Sequence, residues 1–511
     1  MRALDPADML GVAAARHGDR IALVCRGRTL TYAALDATAG QVAAGLTRQG
    51  IRPGERVTLF SENRWEWVAA YHGILRAGCV VNPVNATLTA PELAAIVEDC
   101  GSAALLASGS CTERIGSTLP DGVRLRVSFD DSPAGVVRFA ELLGDGPAGW
   151  DSASARPRDL CGISYTSGTT GRPKGAMQAR EALLLNWAYT AAMHGRSAAD
   201  VVLTALPLPH VYGNCAVNSA LLAGATVVLE PRFDATLMLG LVAEHGVTMI
   251  EGVPAMYAML LDALATTVAD FTTLTRCTVG GQTISDAVVD AWEKATGAPL
   301  LELWGMTELS GLATTHAAYA PPARGSIGVA FPGTEVRVAS LDQVTADAPE
   351  GEDGELMVRG PLVTLGYHGN ETATRETIEP DGWLHTGDIA HRHGAHFYIV
   401  DRLKDMILTG GYNIYPAEIE RVLAGHPDVA LVGVGRVSDP RLGEVAHAYV
   451  VPAQGRTPDP ESVLAFARTQ LAPYKIPKAV HVVAALPTTS SGKIRRRDLA
   501  PPAGTPGTPM T

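Results

Sequence analysis

The 511-residue chain has no Cys-x-x-Cys pair, no apolar run long enough to span a membrane and no surplus of positive charge. Each absence removes a class of function. The seven cysteines (Cys25, Cys79, Cys100, Cys111, Cys161, Cys215 and Cys277) are odd in number and scattered. That pattern suits a reducing compartment and offers no metal framework. A formal net charge of -12 disfavours nonspecific nucleic-acid binding, which depends on Lys and Arg neutralising phosphates. Residues 1–19 mix charges, with no cationic segment leading into an apolar one. Neither a secretion signal nor membrane insertion is therefore expected, and the expected location is the cytoplasm. There is no internal repeat, and no Gly-Lys-Ser/Thr stands at Walker A spacing.

What remains is an ordinary globular composition, 47% hydrophobic and 18% charged, in a chain too long for one core. Short apolar runs alternate with amphipathic stretches: residues 56–60, then a helical pattern over 65–75, then 79–83. The rhythm recurs at 103–107, 201–206, 226–229 and 248–251, which predicts α/β layers with largely parallel sheets. After about Pro332 it changes to strands separated by turns, at 335–338, 354–359 and 396–400, suggesting a barrel or an antiparallel sheet. Dense charge at Asp401-Arg402-Leu403-Lys404-Asp405 precedes a small α/β segment, with a helix over 416–423 and strands over 429–434 and 444–451. The Pro/Gly/Thr-rich end, 501–511, reads as a disordered tail.

The densest chemistry lies in Tyr165-Thr166-Ser167-Gly168-Thr169-Thr170-Gly171-Arg172-Pro173-Lys174-Gly175. Glycines let backbone N–H groups converge on one anion, hydroxyls add donors, and lysine brings a mobile charge. A phosphate cradle and a plain polar turn both fit this segment alone.

Further stretches carry unusual polar residues. Pro207-Leu208-Pro209-His210-Val211-Tyr212-Gly213-Asn214 ends a strand with a histidine, and by itself reads as a strand-to-helix turn. Leu301-Glu302-Leu303-Trp304-Gly305-Met306-Thr307-Glu308 sets a hydroxyl and a carboxylate beyond an apolar strand, as magnesium ligands or as a helix cap. Asp381-Gly382-Trp383-Leu384-His385-Thr386-Gly387-Asp388 places a carboxylate after a tight turn, suited to a ribose diol or simply part of a hairpin. The 401–405 run reads in isolation as a solvated charge run. Pro487-Thr488-Thr489-Ser490-Ser491-Gly492-Lys493 is a second small-residue loop ending in lysine.

Together and in this order, these segments resemble the adenylate-forming superfamily of acyl-CoA synthetases, coumarate-CoA ligases, luciferases and peptide-synthetase adenylation domains. The resemblance runs from Leu30-Thr31-Tyr32-Ala33-Ala34-Leu35 to Lys493. It implies a large domain over 1–400, made of stacked doubly wound sheets and a distorted β-barrel. A hinge at 401–405 and a small mobile α+β domain over 406–500 would follow. It also implies ATP-dependent activation of an acid as an acyl-adenylate, with pyrophosphate release and transfer to CoA.

By this resemblance Thr166, Ser167, Gly168, Thr169, Thr170, Gly171 and Lys174 cradle the β/γ-phosphates. Thr307 and Glu308 serve the α-phosphate and Mg²⁺. Asp388 and Arg402 hold the ribose. Gly280, Gly281 and Gln282, with Trp304, Gly305 and Met306, flank adenine and the acid. Lys493 acts in adenylation and His210 is a further catalytic residue. Lys404 is the hinge residue, and Gly410, Gly411 and Tyr412 form the loop that faces CoA. The acid pocket draws on His210, Tyr212, Asn214, Gly281, Trp304, Gly305, Leu309 and Leu312, an apolar and aromatic set suited to an aryl, arylpropenoic or medium-chain acid.

The chain departs from the family at Trp304, where tyrosine is common, and at Gln282, where a small residue is common. The stretch 211–214 lacks the aspartate with which amino-acid-activating relatives hold an α-amino group. CoA is the expected acceptor, because no carrier-protein domain follows. A separate carrier protein, a diazotase-like use of nitrite with an aryl amine, and an inactive nucleotide sensor are the alternatives. His391-Arg392-His393-Gly394-Ala395-His396 reads as an exposed hairpin tip rather than a zinc site. Arg495-Arg496-Arg497 reads as a solvated face that could help attract phosphates.

Overall fold

The computed structural model describes residues 4–115, 118–131, 135–143, 155–166, 173–410, 412–487 and 494–499. The chain divides into a larger compact unit, Met1–Val336 with Val358–His385, and a smaller one, Arg337–Met357 with Thr386–Thr511.

The larger unit contains two sheets. One runs Val137–Arg138, Leu125–Ser128, Ser102–Ala107, Arg56–Phe60, Val80–Val84, Leu160–Thr166, Lys174–Ala179 in strand order. Its pairs are parallel except the last, an antiparallel hairpin. The second sheet has nine strands, in the order Val329–Ala330, Gly311–Thr315, Leu300–Met306, Arg276–Val279, Met249–Gly252, Val201–Thr204, Thr226–Leu229, Ile21–Cys25, Arg28–Thr31. The six strands from Leu300–Met306 to Ile21–Cys25 are parallel, with antiparallel pairs at both ends. Parallel sheets are covered on both faces, which is why runs such as Val201-Val202-Leu203-Thr204 are almost continuously apolar.

Local chemistry sets the helix ends. Asp234 and Ser285 cap the helices Ala235–His245 and Asp286–Thr296 by accepting from Leu237 N and Val288 N. Gly224 ends Val211–Ala223 at φ +82°, a left-handed conformation that glycine adopts without strain. Trp67, Tyr71 and Trp187 anchor one core of this unit; Tyr257 and Trp292 anchor the other.

The smaller unit holds most of a four-stranded sheet, Glu335–Ala339, Gly354–Arg359, Leu384–His393, His396–Arg402, where a barrel or antiparallel sheet is expected. Its second sheet is built on the long hairpin Val429–Asp439 and Gly443–Pro452, with Ala479–Val482 parallel to the latter. Helices Pro416–Leu423 and Pro460–Arg468 bury Ile419, Leu423, Val463 and Ala467 against it. All seven cysteines are free and buried. Among the described residues no helix is long and apolar enough to cross a membrane.

Candidate active site

In a parallel sheet every strand delivers its following loop to the same edge. The nine-stranded sheet thereby gathers the turn ending at His210 after Val201–Thr204, Gly252-Val253 at the end of Met249–Gly252, Gly280–Gln282 after Arg276–Val279, and Gly305–Glu308 at the end of Leu300–Met306. Thr226–Leu229 lies on one side of Val201–Thr204 and Met249–Gly252 on the other, so the chain direction switches there. The crevice outside such a switch point is where open α/β sheets bind ligands.

His210 is the N-cap of the helix Val211–Ala223, and its Nδ1 accepts from Tyr212 N at 3.2 Å. With Nδ1 accepting, a neutral ring carries its proton on Nε2, and the side chain is exposed. Tyr212 and Asn214 are both buried. The single Thr278 hydroxyl proton goes to Glu251 Oε2 at 2.5 Å, so the Tyr212 phenol donates to Thr278 Oγ1 at 2.8 Å. Asn214 Oδ1 accepts from Trp187 Nε1 at 3.2 Å and Asn218 Nδ2 at 3.1 Å. The Tyr212 hydroxyl and Asn214 Oδ1 are thus engaged inside the protein.

Gly281 has φ +87°, in the left-handed region, and Gln282 beside it is exposed. A Cβ on Gly305 would stand 2.1 Å from Gly311 O, so only glycine lets these two backbones meet. Trp304 is buried at the same strand end, and Leu309 and Leu312 are fully buried beyond it. Their carbonyls accept from Asn186 Nδ2 at 3.2 and 2.8 Å, a stitch that no sequence motif signals.

Thr307–Leu309 forms one 3₁₀ turn, followed by Ser310 at φ +57°, a strained conformation for a residue with a side chain. The turn packs against both strands of the hairpin Leu160–Thr166 and Lys174–Ala179. That hairpin pairs Thr166 with Lys174, the residues that flank the glycine-rich segment in sequence. Ser167, Gly168, Thr169, Thr170 and Gly171 lie outside the described residues. The buried Glu308 accepts from Tyr367 Oη at 2.7 Å, and Lys174 Nζ stands 5.1 Å from the centre of the Tyr367 ring. The larger unit therefore assembles the loop lysine and the Thr-Glu turn in one cluster, with Tyr367 between them.

In the smaller unit Asp388, nearly fully buried, pairs with Arg402 at 2.5 Å across neighbouring strands. Lys404 is exposed in the turn Leu403–Asp405. Gly410 has φ +56°, and the exposed Tyr412 stacks on Tyr474 at 4.6 Å. Gly411 and Lys493 lie outside the described residues.

Two surface readings change. Asp401 is buried and accepts from Ala417 N at 2.6 Å; burial pushes its carboxyl above the usual range, against the lowering effect of Arg496. Arg496 grips Glu420 with two bonds, 2.6 and 3.1 Å, and reaches Asp405 at 3.0 Å. Neither is a solvated charge; the partners are remote in sequence and met only on folding. The His391–His396 segment forms a hairpin turn at Gly394, with the His391 ring stacked on Tyr398.

Residues 10–368 match the family model described as AMP-binding enzyme, and residues 418–493 the one described as AMP-binding enzyme C-terminal domain. A feruloyl-CoA synthase of an Amycolatopsis species is 37% identical over 490 residues, 95% of this chain and 95% of its own. An indoleacetate–CoA ligase of Aromatoleum aromaticum is 36% identical over 483 residues, 92% of this chain and 93% of its own. A solved anthranilate CoA ligase in complex with anthranoyl-AMP matches with a TM-score of 0.88 and 26% identity, covering 96% of both chains.

Proposed function

The chain belongs to the AMP-binding enzyme family, and on that premise we propose how its residues divide the work and which acid it takes. It is an AMP-forming acid–CoA ligase using ATP, magnesium and CoA. The observation that carries the site reading is the cluster of Lys174, Tyr367 and Glu308 at the base of the glycine-rich hairpin.

In the first half-reaction an acid oxygen attacks the α-phosphorus of ATP while charge builds on the leaving pyrophosphate. Positioning and electrostatics supply most of such catalysis. Lys174 and the hydroxyls and N–H groups of 166–171 hold the β/γ-phosphates. The Thr307 hydroxyl and Glu308 carboxylate are hard oxygen donors, the set magnesium takes, so these residues fit the ion. When bound, magnesium neutralises phosphate charge. His210 presents its Nε2 proton towards the acid or α-phosphate, and Lys493 brings a second cation from the small domain. Asp388 and Arg402 hold the ribose hydroxyls. Rotation about Lys404 then withdraws Lys493 and brings the 410–412 loop to the site for the thiol of CoA.

The acid is read as a hydrophobic one bearing an aryl group. Supporting this, the Tyr212 hydroxyl and Asn214 Oδ1 are engaged within the protein, and the neighbouring Trp304, Leu309 and Leu312 are apolar. The names of the feruloyl and indoleacetate relatives point to the same class. The test is mass spectrometry of products from ATP, Mg²⁺, CoA and a panel including ferulate, indoleacetate and medium-chain acids, with pyrophosphate followed in parallel. An aryl-acyl-CoA product is expected. Pyrophosphate without an acyl-CoA product moves the acceptor to a carrier protein or an amine. A preference for medium-chain acids overturns the aryl reading.

A further inference from the structure

The segment around Tyr367 lies almost two hundred residues beyond the glycine-rich hairpin, yet it is laced onto it. Leu365 N donates to Met177 O at 2.9 Å, Met177 N to Gly366 O at 2.9 Å and His368 N to Gly175 O at 2.8 Å. Gly366 stands at φ +118°, and a Cβ there would lie 2.7 Å from Thr374 Cγ2, so the turn into Tyr367 requires glycine. The same segment grips the Thr-Glu turn through its backbone, with Thr364 N donating to Glu308 O at 2.7 Å. Glu308 is therefore held at both its main chain and its side chain by one short stretch.

Tyr367 is buried, and its phenol donates to Glu308 Oε1 at 2.7 Å. It occupies Oε1 of a carboxylate whose two oxygens together offer about four acceptor sites. Its ring face meets the Lys174 ammonium, an attraction of the cation–π kind.

We propose that Tyr367 is a positioning residue for the metal-facing carboxylate: its hydroxyl fixes Glu308 by Oε1 and so presents the other oxygen to magnesium. The proposal rests on the reading of Glu308 as the magnesium ligand. Groups that orient a metal ligand in this way usually matter about tenfold or more for metal affinity. Tyr367→Phe removes the hydroxyl and keeps the ring, so the seat of Lys174 and the packing stay in place.

The test uses the full-length protein, its Tyr367→Phe and its Glu308→Gln variants, titrated calorimetrically with ATP in EDTA and at rising Mg²⁺. Thermal midpoints are measured alongside. Glu308→Gln is expected to lose the magnesium-dependent gain in ATP affinity. Tyr367→Phe is expected to bind ATP in EDTA as the parent does, keep its acid KM, and need about tenfold more Mg²⁺ for half-saturation. Normal magnesium dependence in Tyr367→Phe, with Glu308→Gln impaired, overturns the proposal alone. Normal dependence in Glu308→Gln overturns the Glu308 reading, and the proposal with it. A Tyr367→Phe loss that appears equally in EDTA marks a structural role and also overturns it.

Discussion

Arg196 and Glu251 form an ion pair with both side chains completely buried, beneath the sheet edge that gathers the candidate site. Glu251 also accepts from Thr278, and Arg196 reaches Ala216 O at 2.6 Å and His194 Nδ1 at 3.4 Å. His194 in turn bonds Thr315 through Nε2 at 2.9 Å. One polar chain thereby ties the strand that precedes Gly280 to the strand that begins at Gly311.

Breaking that pair strands a charge in the core. Arg196→Ala is expected to cost about 3–5 kcal/mol, visible in the thermal midpoint. The double variant Arg196→Met with Glu251→Leu should recover part of the loss, because no unpaired charge is left behind. Equal midpoints for the single and parent proteins would show that water or another group replaces arginine.

Tyr212→Phe tests whether the phenol serves the fold or the acid. Its hydroxyl donates to Thr278, so the expected loss is about 1 kcal/mol of stability with acid KM values unchanged across the panel. A selective rise in KM for acids with polar ring substituents would show that the hydroxyl reaches substrate.

The buried His72 sets an acid limit. Burial first, and then Arg76, pushes it from its ordinary 6.5 down to about 3, while its bond to Asn218 acts the other way. The unfolded chain takes up this proton below pH 6.5 and the folded one does not until about 3. Stability is therefore fully present above 6.5 and falls as pH drops through that window, by about 1.4 kcal/mol per pH unit for this one group. The buried His194 is lowered in the same direction, so denaturation midpoints measured from pH 7 to 4 should slope more steeply in the parent than in His72→Gln. A slope unchanged by the substitution would remove His72 as a contributor.

The half-reactions should respond differently to the C-terminal segment. Lys493→Ala is expected nearly to abolish adenylate formation while thioester formation from preformed acyl-AMP largely survives. Arg496 ties the same segment to Glu420 and Asp405, so Arg496→Ala should weaken adenylation about tenfold, with the second half-reaction less affected. Equal losses in both half-reactions, for either variant, would argue against this division of labour.

The sequence alone determined the alternation of strands and helices, because apolar periodicity and turn residues are local. The helix at Pro416–Leu423 and the strand at Arg56–Phe60 fall where the pattern puts them. The Thr-Glu and Thr-Gly-Asp turns stand out in the sequence for the same reason: short backbone geometries leave compact signatures. Tertiary structure alone decided which polar groups meet. Arg196 and Glu251 are 55 residues apart, Tyr367 and Glu308 59, and Arg496 and Glu420 76. An arginine, a tyrosine or a glutamate standing alone in sequence reads as surface or core filler. Only when strands carry such groups to one place, away from water, does the need to satisfy each buried charge make them partners.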